Sequence, residues 1–339
     1  MKAATPAFFT AAWILPLVVG GCALVSPWAA WGAMVLVQVV LALLERVPAW
    51  RHSPGPAQPA PGFRRVLRVH VVLQAALLAL GVALAIREPG WAAVVALGMG
   101  VGGITGSQGI TFAHELGHGR TRLDRALAWC LMGSVLYAHF MVEHYRGHHP
   151  RAATDEDPAS ARAGESLWRF LPRTLAGGLS SAWRLEAHQL RRLQRSWLGS
   201  PLLWATLAQV AGLVALGAEF GPRALLFWLV QAAYAVFLLE AVNYIEHYGL
   251  RRRRVGGRAE PFGVAHAWNA DFRSTNAVIA NLQRHSDHHM HAWKPFETLA
   301  PLPGPQLPTG YAGCLFLASV PPLWFRVMAP RQQQQAVVV

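Results

Sequence analysis

Six stretches of this chain are long and apolar enough to cross a bilayer, and no other feature constrains the fold as much. They run over Phe8–Val25, Ala29–Leu44, Val69–Ile86, Trp91–Ala113, Leu202–Ala218 and Ala224–Glu246. A hydrocarbon core of ~30 Å takes about 20 helical residues. Inside it only helices and closed barrels satisfy their own backbone groups. Of the 339 residues 53% are hydrophobic and 14% are charged, where soluble domains carry about 25% charged residues. An ordinary soluble enzyme and a disordered chain are both excluded. The expected fold is all-α: a single polytopic membrane domain over residues 1–339 with six transmembrane helices.

The net charge of +13 forms no basic stripe with interleaved aromatics, so nucleic acid is not an expected partner. The cations sit between apolar runs. Arg46, Arg51, Arg64, Arg65 and Arg68 fall between the second and third runs, whereas Arg87 is alone in the Arg87-Glu88-Pro89-Gly90 turn that follows. The positive-inside rule then places the first loop, the N-terminus, an insert of about residues 119–200 and the region 247–339 in the cytoplasm. Within the insert, Arg125–Glu143 reads as one helix too weak to span, and Ser181–Trp197 as an amphipathic interfacial helix. Tyr311–Met328, interrupted by Pro321-Pro322, reads as interfacial or re-entrant, and Gln332–Gln335 as disordered. Gly98, Gly102 and Gly106, with Gly109 beyond, predict the close approach of another helix to the fourth run. Cys22, Cys130 and Cys314 are far apart, which excludes a disulfide scaffold, a thiolate zinc site and a rubredoxin-type centre within this chain.

Histidine is the second anomaly. Of 15 histidines, most fall in three clusters: His114 and His118; His144, His148 and His149; His285, His288 and His289. His247 stands apart at the end of the last run. On a helix, positions i and i+4 share a face, so His114 and His118 can reach one metal, and His144 with His148 repeat the pattern. Nine imidazoles are too many for one tetrahedral zinc and suit two metals of higher coordination, although imidazole alone does not select iron. Spans four and six both rise from external turns and carry His114 and His247 about 36 Å, to the cytoplasmic edge of the core. Glu115, Glu143, Glu246 and Asp287 lie beside ligands and are candidates to hold their second nitrogens, as is His139. Glu240, with Asn243 one turn on, is a carboxylate at membrane depth and a functional candidate on that ground. His52, His70, His188, His266 and His291 read as caps or surface residues. A zinc protease using His114, Glu115 and His118, and a non-catalytic metal carrier, are the competing readings.

The three clusters resemble the eight-histidine pattern of integral-membrane di-iron desaturases and hydroxylases. Asn243-Tyr-Ile-Glu-His-Tyr-Gly-Leu250, Leu282-Gln-Arg-His-Ser-Asp-His-His289 and Glu143–Pro172, with its Asp157-Pro-Ala-Ser, resemble the bacterial alkane 1-monooxygenase family more narrowly. That family includes relatives that hydroxylate methyl groups on aromatics such as xylene. The block around His247 separates these hydroxylases from fatty acyl desaturases, which share the metal core and stand as the alternative reading. The resemblance implies two non-haem Fe ions held by the nine histidines on the cytoplasmic side of a bacterial inner membrane. It implies O2-dependent hydroxylation of the terminal methyl of a hydrophobic substrate to a primary alcohol. Electrons would come from rubredoxin and rubredoxin reductase, which must be separate chains because no CxxC is present. Arg251–Arg254, Arg191 and Arg192 are candidate docking residues for an acidic donor.

Overall fold

The computed structural model describes residues 2–338. Among them, five helices are long and apolar enough to cross a membrane: α1 (Pro6–Val25), α2 (Pro27–Leu44), α3 (Pro61–Ala85), α4 (Trp91–Gly117) and a 47-residue helix, Pro201–His247. Proline opens four of these five, where its missing N–H costs nothing and its fixed φ suits the first turn. Ser26 and Ser200 cap the helices that follow them, accepting from the amides of Ala29 at 3.0 Å and Leu203 at 3.1 Å.

The fifth and sixth apolar runs are the two arms of the long helix. It breaks at Gly221, which has φ 79°, ahead of Pro222. A side chain is strained there and proline cannot continue the preceding turn. The arms lie side by side: Gln209 donates to the carbonyl of Gly133 at 3.3 Å, and Gln231, from the other arm, to that of Ser134 at 2.9 Å.

The intervening insert carries α5 (Arg122–Ser134), α6 (Phe140–Glu143) and α7 (Leu167–Arg192); the long helix is then α8. The single helix expected over Arg125–Glu143 is therefore two. The chain turns at Leu136, whose φ is 58°, and so re-aims α6 toward the histidines. The amphipathic stretch from Ser181 is the C-terminal half of α7, a longer helix than its sequence suggested. It stops before Trp197 because Gln194 takes φ 52°.

Beyond α8 a two-stranded hairpin (Arg254–Val255 with Arg258–Ala259) precedes α9 (Arg273–Val278), α10 (His285–Met290), α11 (Tyr311–Ser319) and α12 (Pro321–Val338). Pro321 opens α12 rather than merely interrupting the apolar stretch. The glutamine tract was expected to be disordered and instead continues α12, with Gln332 part-buried.

The glycine stripe does what its spacing predicts. A Cβ on Gly98 would meet Val230 at 2.8 Å, one on Gly102 the carbonyl of Gln231 at 2.7 Å, and one on Gly106 the Cα of Ala235 at 2.7 Å. The second arm of α8 thus lies against the α4 backbone. Below this contact, Phe9, Phe63, Phe112 and Phe296 fill a core linking α1, α3 and α4 to the C-terminal region. His70, expected at the surface, is fully buried on α3 with its ring edge-on to Phe112 at 4.7 Å.

Candidate metal centre

Four elements bring nine imidazoles together. His114 and His118 come from the end of α4, His144, His148 and His149 from the turn after α6, His247 from the end of α8, and His285, His288 and His289 from α10. They divide into two groups whose ring nitrogens lie within 4.8 Å of one another: His114, His118, His144, His149 and His288; and His148, His247, His285 and His289.

The division departs from what α-helical spacing predicts for the middle cluster. Residues His144–His148 form a π-helical turn. Its wider repeat puts His149, not His148, on the face of His144, and their Nε2 atoms are 3.0 Å apart. His148, one residue earlier, is turned to the other group. In α10, His285 and His289 share a group at i, i+4 while His288 joins the first. A second π-helical turn, Thr105–Ile110, lies just before His114 and His118 in α4.

The donor set fits metal. Nε2 of His149 is 3.2 Å from Nε2 of His118, and Nε2 of His285 is 3.1 Å from Nε2 of His247. Imidazole nitrogens each about 2.1 Å from one ion, at right angles, are about 3.0 Å apart. Nε2 of His148, Nε2 of His288 and both nitrogens of His289 are buried without a hydrogen-bond partner, an arrangement that is costly without something to bind them. Burial and neighbouring imidazoles push His118, His144, His288 and His289 well down, and His149 to about 3. All five are neutral near pH 7, the form that coordinates.

The acidic candidates differ in what they touch. Glu246 Oε1 lies 3.1 Å from Nδ1 of His285 and accepts the Tyr311 hydroxyl at 2.5 Å. Glu115 accepts the Phe296 amide at 3.3 Å and pairs with Arg64 at 3.7 Å. Glu143 pairs with Arg151 at 2.5 Å, and Asp287 with Lys294 at 2.8 Å and His291 at 2.7 Å. Glu240 accepts from Tyr137, Thr174 and Asn243, which joins α8 to α7 and to the turn before α6. His139 packs on Tyr137 at 4.2 Å and lines a small polar pocket with Glu143, Glu240, Asn243, His144 and His148.

Sequence reasoning assigned no role to Asp157. Its Oδ2 lies 2.9 Å from Nδ1 of His148 and accepts the Ser160 hydroxyl at 2.6 Å. Burial alone would raise this acid, but His148 and Ser160 hold it down at about 2. The available signal was the Asp157-Pro-Ala-Ser turn: Asp157 Oδ1 also accepts the Ala159 amide, a local motif that aspartate favours.

On the other side of the histidines, a cavity runs between α2, α4, α8, α9 and α11. Its walls are mostly apolar, including Met34, Val37, Leu41, Leu238, Val278 and Leu315. His114 and His285, one from each group, also line it.

The family model described as fatty acid desaturase matches residues 89–324, which hold all nine histidines. Alkane 1-monooxygenase 1 of Pseudomonas aeruginosa is 43% identical over 267 residues, 78% of this chain and 70% of the relative. The chain belongs to the alkane 1-monooxygenase family. Alkane 1-monooxygenase 2 of the same organism is 41% identical over 306 residues, 87% of this chain and 81% of the relative. The xylene/toluene monooxygenase hydroxylase component XylM of Pseudomonas putida is 28% identical over 229 residues, 67% of this chain and 61% of the relative. This alkane 1-monooxygenase family member is a multi-pass membrane oxidoreductase whose histidine clusters fit a metal site, and its relatives imply a hydrophobic substrate.

Proposed function

We propose that this chain is a di-iron monooxygenase that converts the terminal methyl of an alkane to a primary alcohol: R–CH3 + O2 + 2e− + 2H+ gives R–CH2OH + H2O. Rubredoxin and its reductase would deliver the electrons. Five histidines (114, 118, 144, 149, 288) would hold one iron and four (148, 247, 285, 289) the other. Bound there, iron supplies the O2 chemistry that a strong terminal C–H bond requires. The six-span topology and the cytoplasmic placement of the histidines in a bacterial inner membrane are part of the same reading.

The observation that carries the proposal is the mostly apolar cavity whose lining includes His114 and His285. An alkane has no polar handle, so its affinity comes from apolar burial, about 0.8 kcal/mol per CH2. Its orientation comes from the shape of the cavity. Met34, Leu41, Val278 and Leu315 hold the chain and exclude water, while Phe140 packs flat on His144 with ring centroids 4.6 Å apart and fixes that imidazole. Protons would be handled in the neighbouring small pocket of Glu143, Glu240 and His139, beside the alkyl chain's cavity.

The test is iron quantitation together with product analysis on octane, hexadecane and p-xylene with a reconstituted rubredoxin system. Two irons per chain and 1-alkanols support the proposal. Alkene products would make the chain a desaturase, and turnover confined to p-xylene would make it an aromatic-methyl hydroxylase like its 28%-identical relative.

A further inference from the structure

The nine histidines look alike in sequence, but the charges around them do not. Three acids neighbour histidines of the five-member group along the chain, and each is turned toward a cation. Glu115 faces Arg64, Glu143 faces Arg151 and Asp287 faces Lys294. Among the described residues, no carboxylate lies within ion-pair distance of a ring nitrogen of that group. The two that do approach ring nitrogens of the nine are Asp157, on His148, and Glu246, on His285. Both histidines belong to the four-member group.

Neither of these carboxylates has a lysine or arginine partner among the described residues. Asp157 is 1% exposed and takes its remaining hydrogen bonds from the Ser160 hydroxyl and the Ala159 amide. Glu246 is 2% exposed, lies near Nδ1 of His285 without a hydrogen bond to it, and accepts the Tyr311 hydroxyl. Neutral donors hold Asp157 in place without cancelling its charge. In a site this dry that negative charge acts strongly on the group's centre. A carboxylate hydrogen-bonded to Nδ1, as Asp157 is to His148, also fixes the ring, aims Nε2 at the centre and makes it a stronger donor.

We propose that the two metal sites are unequal by construction: Asp157 makes the four-histidine site the tighter one, and the five-histidine site is the weaker and later filled. The proposal rests on the two-metal reading above. Asp157 and, through it, Ser160 are positioning residues for that site. The five-histidine site gains a ligand but has no carboxylate on a ring nitrogen, which would leave its cation the more easily lost.

The experiment is an anaerobic titration of metal-free, full-length protein in lipid nanodiscs with Fe(II) alone. The wild type should fill in two steps. His289→Ala should remove the tight step and His288→Ala the weak one, which identifies them. Asp157→Asn should weaken the tight step about 10–100-fold and leave the weak step in place, and Asp157→Glu should recover part of the loss. A merely structural role would weaken both steps together. If Asp157→Asn does not insert, Ser160→Ala, which leaves the Asp157 carboxylate in place, should weaken the same step by less. No shift in that variant overturns the proposal. Two irons of equal affinity in the wild type would overturn it too, as would loss from the step that survives in His289→Ala. Fewer than two irons would instead remove the two-metal reading on which it rests.

Discussion

Gly102→Ala tests whether the close contact between α4 and α8 sets the spacing of the metal centre. The added methyl would lie 2.7 Å from the carbonyl oxygen and 3.0 Å from the Cα of Gln231. Both are backbone atoms, so no rotamer change relieves the clash and the helices must part by roughly 0.5–1 Å, a strain of about 1–3 kcal/mol. Alanine also favours a helix over glycine by about 1 kcal/mol, which masks part of that cost. Gly212→Ala supplies the correction, because its Cβ would meet no atom within 4 Å. The difference between the two variants isolates the steric part. The consequence reaches the site because α4 ends in His114 and α8 in His247, and metal–ligand distances tolerate only about ±0.2 Å. Relative to Gly212→Ala, Gly102→Ala should unfold several degrees lower in nanodiscs and retain less iron after dialysis against a weak chelator. Equal melting temperatures and equal iron retention would refute the claim that this contact sets the spacing.

Three further outcomes follow from the same geometry. His247→Ala should lose turnover and iron while inserting normally, as read by metal analysis and membrane fractionation; wild-type iron content would remove His247 from the site. Leu315→Trp, which narrows the apolar cavity, should shorten the longest alkane accepted while leaving iron content intact; an unchanged chain-length profile would mean that substrate lies elsewhere. Exposed Cys130 should react with N-ethylmaleimide in the folded protein, whereas Cys314, fully buried with its thiol pushed well up by desolvation, should react only after denaturation. Mass spectrometry of the labelled peptides reads this directly.

The apolar runs, the glycine stripe and the membership of the histidine set were legible in the sequence because each follows from local composition or fixed spacing. The division of the histidines was not. It depends on a π-helical turn at His144–His148 that the residues themselves do not announce, and i, i+4 reasoning paired His144 with the wrong neighbour. The acids were misleading for a related reason. Adjacency in sequence favoured Glu115, Glu143 and Asp287, yet side chains next to a ligand on a helix point away from it, and these three met Arg64, Arg151 and Lys294. Asp157 lies eight residues beyond His149 and reaches His148 only because the chain turns back through Asp157-Pro-Ala-Ser.

The sequence alone determined that this chain is helical, embedded in lipid and rich in metal-binding imidazole, since solvent, backbone satisfaction and ligand chemistry act residue by residue. Tertiary packing alone decided how the imidazoles divide into two groups, which carboxylates approach them, and where an apolar cavity meets them. Those are distances between segments far apart in the chain, and no local pattern encodes them.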